Sequence, residues 1–301
     1  MLCSVIIPTY NRYELLALTL NSLVKQDFVK QDYEVIVIDD GSSDNTKELV
    51  ASYQTKITVS YFYQADRGYR VAKARNTGIR HAQGDICIFI DSGVIAPTGF
   101  VAAHWHAHRS KTKLALCGYV YCFNEDNEDA QDIIRLIKPG HPNETIRLLQ
   151  ETKQYLDIRE SFYQRYSEAL HKLKAPWLVY WAGNASAPRQ LLIDVGLFDE
   201  HFTSWGAEDV ELGYRLFQAG AHFALNRQAC AIHYPHAKSY QNNMQSAAGN
   251  YQYFANKYKN PITDLVPYHH FDDINDIIES QKLSYDTSIT HQTITTNTNV
   301  E

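Results

Sequence analysis

Over residues 3–90 the sequence alternates two periodicities, and that alternation most constrains what the chain can fold into. Short apolar runs rich in β-branched residues, 3–7, 33–38, 57–63 and 86–90, read as buried strands. Between them, residues 14–24 carry Leu15, Leu16, Leu18, Leu20 and Leu23 on a helical spacing, and residues 71–85 form a helical pattern that closes near Gly84. A further helix opens at Asp44 or Asn45 as N-cap, with Glu48 in its first turn. Strand and helix in strict succession predict an α/β fold, a mostly parallel central sheet flanked by helices. In such sheets ligands bind beyond the carboxyl ends of the strands. Three of these strands run out into polar turns: Pro8–Thr9–Tyr10–Asn11–Arg12, Asp39–Asp40–Gly41 and Asp91–Ser92–Gly93. Asp91 therefore stands at the mouth of a site, as a structural cap, a metal ligand or an acid–base group.

Composition narrows the classes. The chain has 301 residues, 45% hydrophobic and 21% charged, enough for a large core. A net charge of −6 with dispersed Lys and Arg gives no footprint for nucleic acid or an anionic membrane. Five cysteines form no CxxC pair, and no apolar run reaches membrane-spanning length. With no leader-like N-terminus, these features lead us to expect a cytoplasmic protein without a transmembrane segment.

Along the chain we expect a nucleotide-binding half over 1–123 and a charged, helix-prone insertion over 124–175. A second ordered block follows over 176–240, then a helical segment over 241–283 and a polar, disordered tail over 284–301. The alternating histidines His104, His106 and His108 have a spacing attractive for metal. They fall in a helical stretch, where i and i+2 point apart, and read as mainly structural.

A nicotinamide-binding fold needs a glycine-rich turn after the first strand, and residues 8–12 contain no glycine. The ordered set SVIIPTYNR, VIVIDDGSSDNT, GYRVAKARNTGIRHAQGD and FIDSG instead resembles the GT-A glycosyltransferases of family 2. The later segment Trp205–Gly206–Ala207–Glu208–Asp209 resembles the W-G-x-E-D motif of chondroitin-polymerase-like and galactosyltransferase-like members. The resemblance implies a GT-A fold and transfer of a sugar from a nucleotide-sugar donor. It places the donor on Pro8, Thr9, Tyr10, Arg12, Asp40, Arg70, Arg75, Asp91, Ser92 and Gly93. Asp40 would select a uracil edge, Tyr10 has a ring able to stack on the base, and Arg70 and Arg75 would offset diphosphate charge.

In the family, the strand ending at Ile90 leads into a DxD motif whose acids hold Mn²⁺ or Mg²⁺ against the diphosphate. Here Gly93 replaces the third acid. Three readings follow: a metal held by Asp91 and a further ligand such as His233, with His236 as fallback; charge offset by cations alone; or loss of transfer with nucleotide binding kept. On the acceptor side, Glu208 and Asp209 open a helix, where negative charge is favourable in any case. The resemblance assigns Asp209 as general base for an inverting transfer, Glu208 as a hydrogen-bonding partner of acceptor hydroxyls, and Trp205–Gly206 as acceptor contacts. We expect a UDP-hexose or UDP-N-acetylhexosamine donor and a carbohydrate, glycoside or peptide acceptor. The rivals are a transferase acting on peptide side chains and a silent nucleotide-sugar-binding subunit. The segment 181–189 adds Asn184 as a candidate sugar contact, and Arg189 as another or as a bridge to Asp194 or Asp199.

Overall fold

The computed structural model describes residues 2–123 and 128–285. In chain order these form β1 (Cys3–Thr9), α1 (Tyr13–Leu23), β2 (Tyr33–Asp39), α2 (Thr46–Ala51), β3 (Val59–Tyr63), α3 (Val71–His81) and β4 (Ile86–Ile90). The alternation read from the sequence is present in full. There follow β5 (Val94–Ile95), α4 (Phe100–His108), β6 (Leu114–Tyr121), α5 (Ala130–Leu136), α6 (Pro142–Thr152), α7 (Glu160–Arg165), β7 (Asn184–Pro188) and α8 (Arg189–Asp194). The chain continues through α9 (Glu208–Gln218), β8 (His222–His233), α10 (Tyr240–Tyr258) and α11 (Phe271–Ser280).

The strands make one eight-stranded sheet in the order β3-β2-β1-β4-β7-β6-β8-β5. β3, β2, β1 and β4 are mutually parallel, and β6 runs parallel to β8. β7 is antiparallel to both β4 and β6, and β5 to β8. Side chains alternate between faces: Ile6, Ile36, Ile38, Cys87 and Phe89 enter one core, while Val5, Ile7, Val35, Val37, Ile88 and Ile90 enter the other. Burial on both faces explains why these strands read as continuous apolar runs rather than as alternating ones.

Asn45 occupies the N-cap of α2 but makes no capping bond through its side chain. Asp44 does the local work instead. Its Oδ1 accepts from the Thr46 N–H at 3.2 Å, and its Oδ2 accepts from the Tyr13 N–H at 3.1 Å, tying the starts of two helices together. His104 and His108, one turn apart on α4, both hydrogen-bond the Ser186 hydroxyl at 2.8 Å. Burial pushes their pKa values down to about 3 and about 4, so these are neutral core groups. Asn184 bonds into the same core, its amide donating to the carbonyls of Tyr119 and Ala229 at 3.2 and 2.8 Å. Arg189 bridges neither Asp194 nor Asp199; it donates to the carbonyls of Ile79 and Arg80 near the end of α3.

The described part of the insertion is helical, and one buried ion pair fixes its base. Arg159 bonds Asp157 through Nε at 2.9 Å and Nη2 at 2.7 Å, and also donates to the carbonyls of Val179 and Gly118. Asp157 Oδ2 accepts the Val120 N–H at 2.6 Å, so the pair stitches the insertion to β6. At the other end, the expected disordered tail starts too early. Tyr285 packs into the core, accepting from Trp177 Nε1 at 3.0 Å and donating to the Lys174 carbonyl at 2.6 Å. The remainder of that segment, 286–301, lies outside the described residues. No helix among the described residues is long and apolar enough to cross a membrane.

Removing one member of a buried ion pair strands the other. Asp157→Ala should lower unfolding free energy by about 3–5 kcal/mol in urea denaturation, whereas replacing Asp157 and Arg159 together by apolar residues of similar volume should cost far less.

Candidate active site

The carboxyl ends of β1, β2 and β4 bring together the residues expected on the donor side. Asp39, the first acid of its pair, folds the turn: its Oδ1 accepts from the Gly41 and Ser42 N–H groups at 3.1 and 2.7 Å, and its Oδ2 from the Tyr61 hydroxyl at 2.6 Å. Asp40 faces another way and is held by Gln64 at 2.5 Å and by Arg70, through Nη2 at 2.9 Å and the backbone N–H at 2.8 Å. Arg70 is thus committed to Asp40 and to the Ala65 carbonyl. Tyr10 stands half-exposed beside them, its hydroxyl donating to Asp66 at 2.9 Å. The Thr9 carbonyl accepts the Asp40 N–H at 2.9 Å, and Arg12 lies 3.0 Å from the His236 ring nitrogen Nε2.

The Asp91–Ser92–Gly93 corner is rigid. Ser92 donates to the Pro8 carbonyl at 3.0 Å, the Gly93 N–H donates to Thr19 at 2.9 Å, and the Gly93 carbonyl accepts from Tyr234 at 2.9 Å. Gly93 has φ +97°, and a Cβ there would lie 3.3 Å from the Leu15 side chain. An aspartate at this third position would be strained in this backbone. Asp91 itself is open, its side chain 43% exposed. His233, the last residue of β8, pairs with Val94 just past this corner. It is buried, its pKa is held well below the usual histidine range, chiefly by burial, and its Nδ1 has no hydrogen-bond partner.

A neutral, orphaned imidazole and an open carboxylate lining one cavity fit a divalent ion that takes its other ligands from a diphosphate and water. Among the described residues no three His, Cys, Asp or Glu side chains gather into a metal cluster.

One cation joins the two sides. Arg75 on α3 is buried and bonds Glu208 through Nη1 at 2.8 Å and Asp91 through Nη2 at 3.0 Å. Burial opposes its charge, but Asp91 and Glu208 outweigh burial and raise its pKa above the usual guanidinium value. Arg75, expected to offset diphosphate charge, forms a strut between two carboxylates of the same cavity. Asp209 follows at the start of α9. Its Oδ2 accepts the Ala182 N–H at 2.9 Å and its Oδ1 the Val210 N–H at 2.8 Å. Burial and then the adjacent Glu208 push its pKa up to about 7, against the opposing pull of Arg75 and the two N–H groups. Glu208 Oε2 is buried without a partner. Ala182 bonds Asp209, and the next residue, Gly183, approaches Asp91: a Cβ there would sit 3.3 Å from its Oδ2.

The loop that presents this pair is strained and clamped from α10. Gly206 and Ala207 are both left-handed, at φ +98° and +74°. The Asn250 amide donates to the carbonyls of Ser204, Trp205 and Gly206 at 3.0, 3.3 and 2.8 Å, and the Trp205 N–H donates to Ser246 at 3.2 Å. A Cβ at Gly206 would strike Ala247 at 2.9 Å, so this helix packs where only glycine fits. Asn250 and Ser246 lie some 40 residues from the motif in a polar helix, and nothing local in the sequence marks them. The same holds for Tyr268 and Met244, which join Arg75, Asp91, Trp205, Glu208, Asp209 and His233 around a cavity of about 510 Å³. Tyr10, Asp40 and Arg70 lie outside its lining, beyond Asp91.

Comparison with known proteins gives the family and the fold. The family described as glycosyl transferase family 2 matches residues 4–191, a stretch that ends before Glu208 and Asp209. The chain is 37% identical to validoxylamine A glucosyltransferase of Streptomyces hygroscopicus over 88% of its own length and 63% of that protein's. It is 32% identical to chondroitin synthase of Escherichia coli over 76% of its length and 34% of that protein's. It therefore spans less than two thirds of these relatives. The fold matches that of S. aureus TarS 1–349, solved in complex with UDP-GlcNAc, with a TM-score of 0.63 at 18% identity, covering 93% of this chain and 71% of that one.

The clamp carries a stability test. Asn250→Asp removes the donors and sets a carboxylate against three carbonyls, so it should destabilise the chain by about 1–3 kcal/mol in chemical denaturation.

Proposed function

The chain belongs to glycosyl transferase family 2, and from that premise we propose that it moves a hexose or N-acetylhexosamine from a UDP-sugar to an acceptor hydroxyl with inversion at the anomeric carbon, Asp209 acting as general base. The observation that carries this reading is a carboxylate poised near neutrality in the same cavity as the DxD-position acid, with one guanidinium joining the two sides.

The uridine would lie over Tyr10 and Asp40, at the ends of β1 and β2, with the diphosphate running toward Asp91. Asp91 and His233 are the residues that would hold a Mn²⁺ or Mg²⁺ ion, which supplies positive charge to the diphosphate. The acceptor oxygen attacks the anomeric carbon, the bond from that carbon to the diphosphate oxygen breaks, and its electron pair leaves with UDP. The hydroxyl proton passes to Asp209, whose pKa near the working pH suits both its removal and its later release. Glu208 Oε2 is the acceptor available to a second hydroxyl, and Trp205, 39% exposed, offers a ring face to the acceptor sugar. Holding both reactants in one cavity lowers the barrier beyond what the base supplies. The likeness to validoxylamine A glucosyltransferase and chondroitin synthase supports a carbohydrate acceptor over a peptide.

Asp209→Asn keeps the shape of the side chain and removes the base. UDP release from a UDP-sugar with acceptor should fall about 10²–10⁴-fold in kcat/KM, with UDP affinity retained in calorimetry. Because the base works unprotonated, kcat/KM of the wild type should rise with pH through about 7 and level off above it. A wild type that binds UDP yet releases none from any UDP-sugar would instead be a nucleotide-sugar-binding subunit.

A further inference from the structure

The mouth of the cavity combines two properties that together describe its acceptor. The first is apolar exposure. Four of the large hydrophobic side chains exposed on this surface gather around this opening: Tyr69 at 40%, Trp205 at 39%, Met244 at 41% and Tyr268 at 72%. They arrive from four separate parts of the chain: just before α3, just before α9, within α10, and between a short turn at Thr263–Leu265 and α11. Convergence of exposed apolar groups on one concave opening marks a binding groove. Trp205 stands three residues before Glu208, beside the reacting hydroxyl, while Met244 and Tyr268 come from the C-terminal segment.

The second property is charge. Three cations line the cavity against four carboxylates, Asp91, Asp157, Glu208 and Asp209. Arg75 is bonded to two of those acids, Arg159 to Asp157 and two backbone carbonyls, and Lys238 lies over the Phe123 ring at 4.5 Å. Two of the cations are thus held by the cavity's own acids. A uronate or phosphodiester acceptor would bring negative charge to walls already rich in it, where low dielectric strengthens repulsion.

Resting on the transferase reading above, we propose that the acceptor is an uncharged saccharide of at least two rings. The reacting ring packs on Trp205 and hydrogen-bonds the unpartnered Glu208 Oε2, and a second ring packs on Met244 and Tyr268. The C–H face of a pyranose is apolar and weakly positive, and it suits the negative face of an aromatic ring. The hydroxyl edges remain free for polar partners and water, so neutral sugars match a site that is apolar on its faces and anionic at its floor.

The test is binding, read by saturation-transfer NMR and titration in the presence of UDP and Mg²⁺. The probes are neutral disaccharides (maltose, cellobiose, lactose, chitobiose), their uronic-acid counterparts, and the methyl glycosides of single rings. We expect at least one neutral disaccharide to bind more tightly than its uronic counterpart and than the single rings. Tyr268→Ala, at an exposed position that folding tolerates, should weaken that disaccharide about five- to tenfold and leave single-ring binding unchanged. Preference for the uronic acids, equal binding of one ring and two, indifference to Tyr268→Ala, or no binding by any probe overturns the proposal. The two readings fail separately. A wild type that binds neutral disaccharides but releases no UDP loses the transferase reading and keeps the acceptor class, whereas UDP release with a uronic acceptor alone does the reverse.

Discussion

Arg75 is the interaction on which the rest of the site depends. Four carboxylates line one cavity, and among them Asp91 comes from a strand end while the adjacent Glu208 and Asp209 come from a helix start far along the chain. Left alone, such a cluster would repel itself, more so as water is excluded. The Arg75 guanidinium, bonded to Asp91 on one side and Glu208 on the other, makes the arrangement tenable. It also divides the labour. Asp91 keeps an open face, Glu208 keeps one unpartnered oxygen, and Asp209, which Arg75 does not bond directly, retains a raised pKa.

The position of that arginine follows from the fold. α3 lies between β3 and β4, packed on β1 and β2, so a residue one turn into it reaches the carboxyl ends of the strands. From the opposite direction, α9 brings its acidic first turn to the same place, and Ala182–Gly183 threads between Asp209 and Asp91. The left-handed pair Gly206–Ala207 aims α9, and Asn250 satisfies the loop carbonyls that this conformation leaves exposed. Strain of this kind persists only where surrounding contacts over-determine it. α10 is therefore part of the site, although it lies beyond the region that matches the family.

Much of this was legible in the sequence because it is local. Strands buried on both faces leave unbroken apolar runs, so the first four and their succession with helices were readable without the structure. The polar turns that end them mark the rim. The sequence places Asp209 beside Glu208 at a helix start and glycine at 93, but not the left-handed backbone that Gly93 adopts against Leu15. What stayed hidden is long-range. Arg75 reads as one of three cations on a helix; that it alone is buried between two acids depends on where α9 lands. Asn184 reads as a candidate sugar contact from its segment alone; its bonds to His104 and to two backbone carbonyls depend on how β6, β7 and α4 pack. Asn250 and Tyr268 carry no local pattern, since their roles come from docking of the C-terminal segment. Tyr285 shows the converse: a residue in a polar stretch, poor in core neighbours by sequence, is held by hydrogen bonds to Trp177 and the Lys174 carbonyl and by ring contacts with Tyr214 and Phe217.

The central claim is electrostatic, and a carboxyl ¹³C NMR titration of Asp209 reads it directly, in the wild type and in Arg75→Gln, which keeps hydrogen-bonding capacity and removes the charge. The account predicts a midpoint near 7 in the wild type and a higher one in the variant, since the guanidinium favours the ionised form of Asp209. An Asp209 that titrates at about 4, as an exposed aspartate does, or a midpoint that ignores the loss of Arg75, would contradict it.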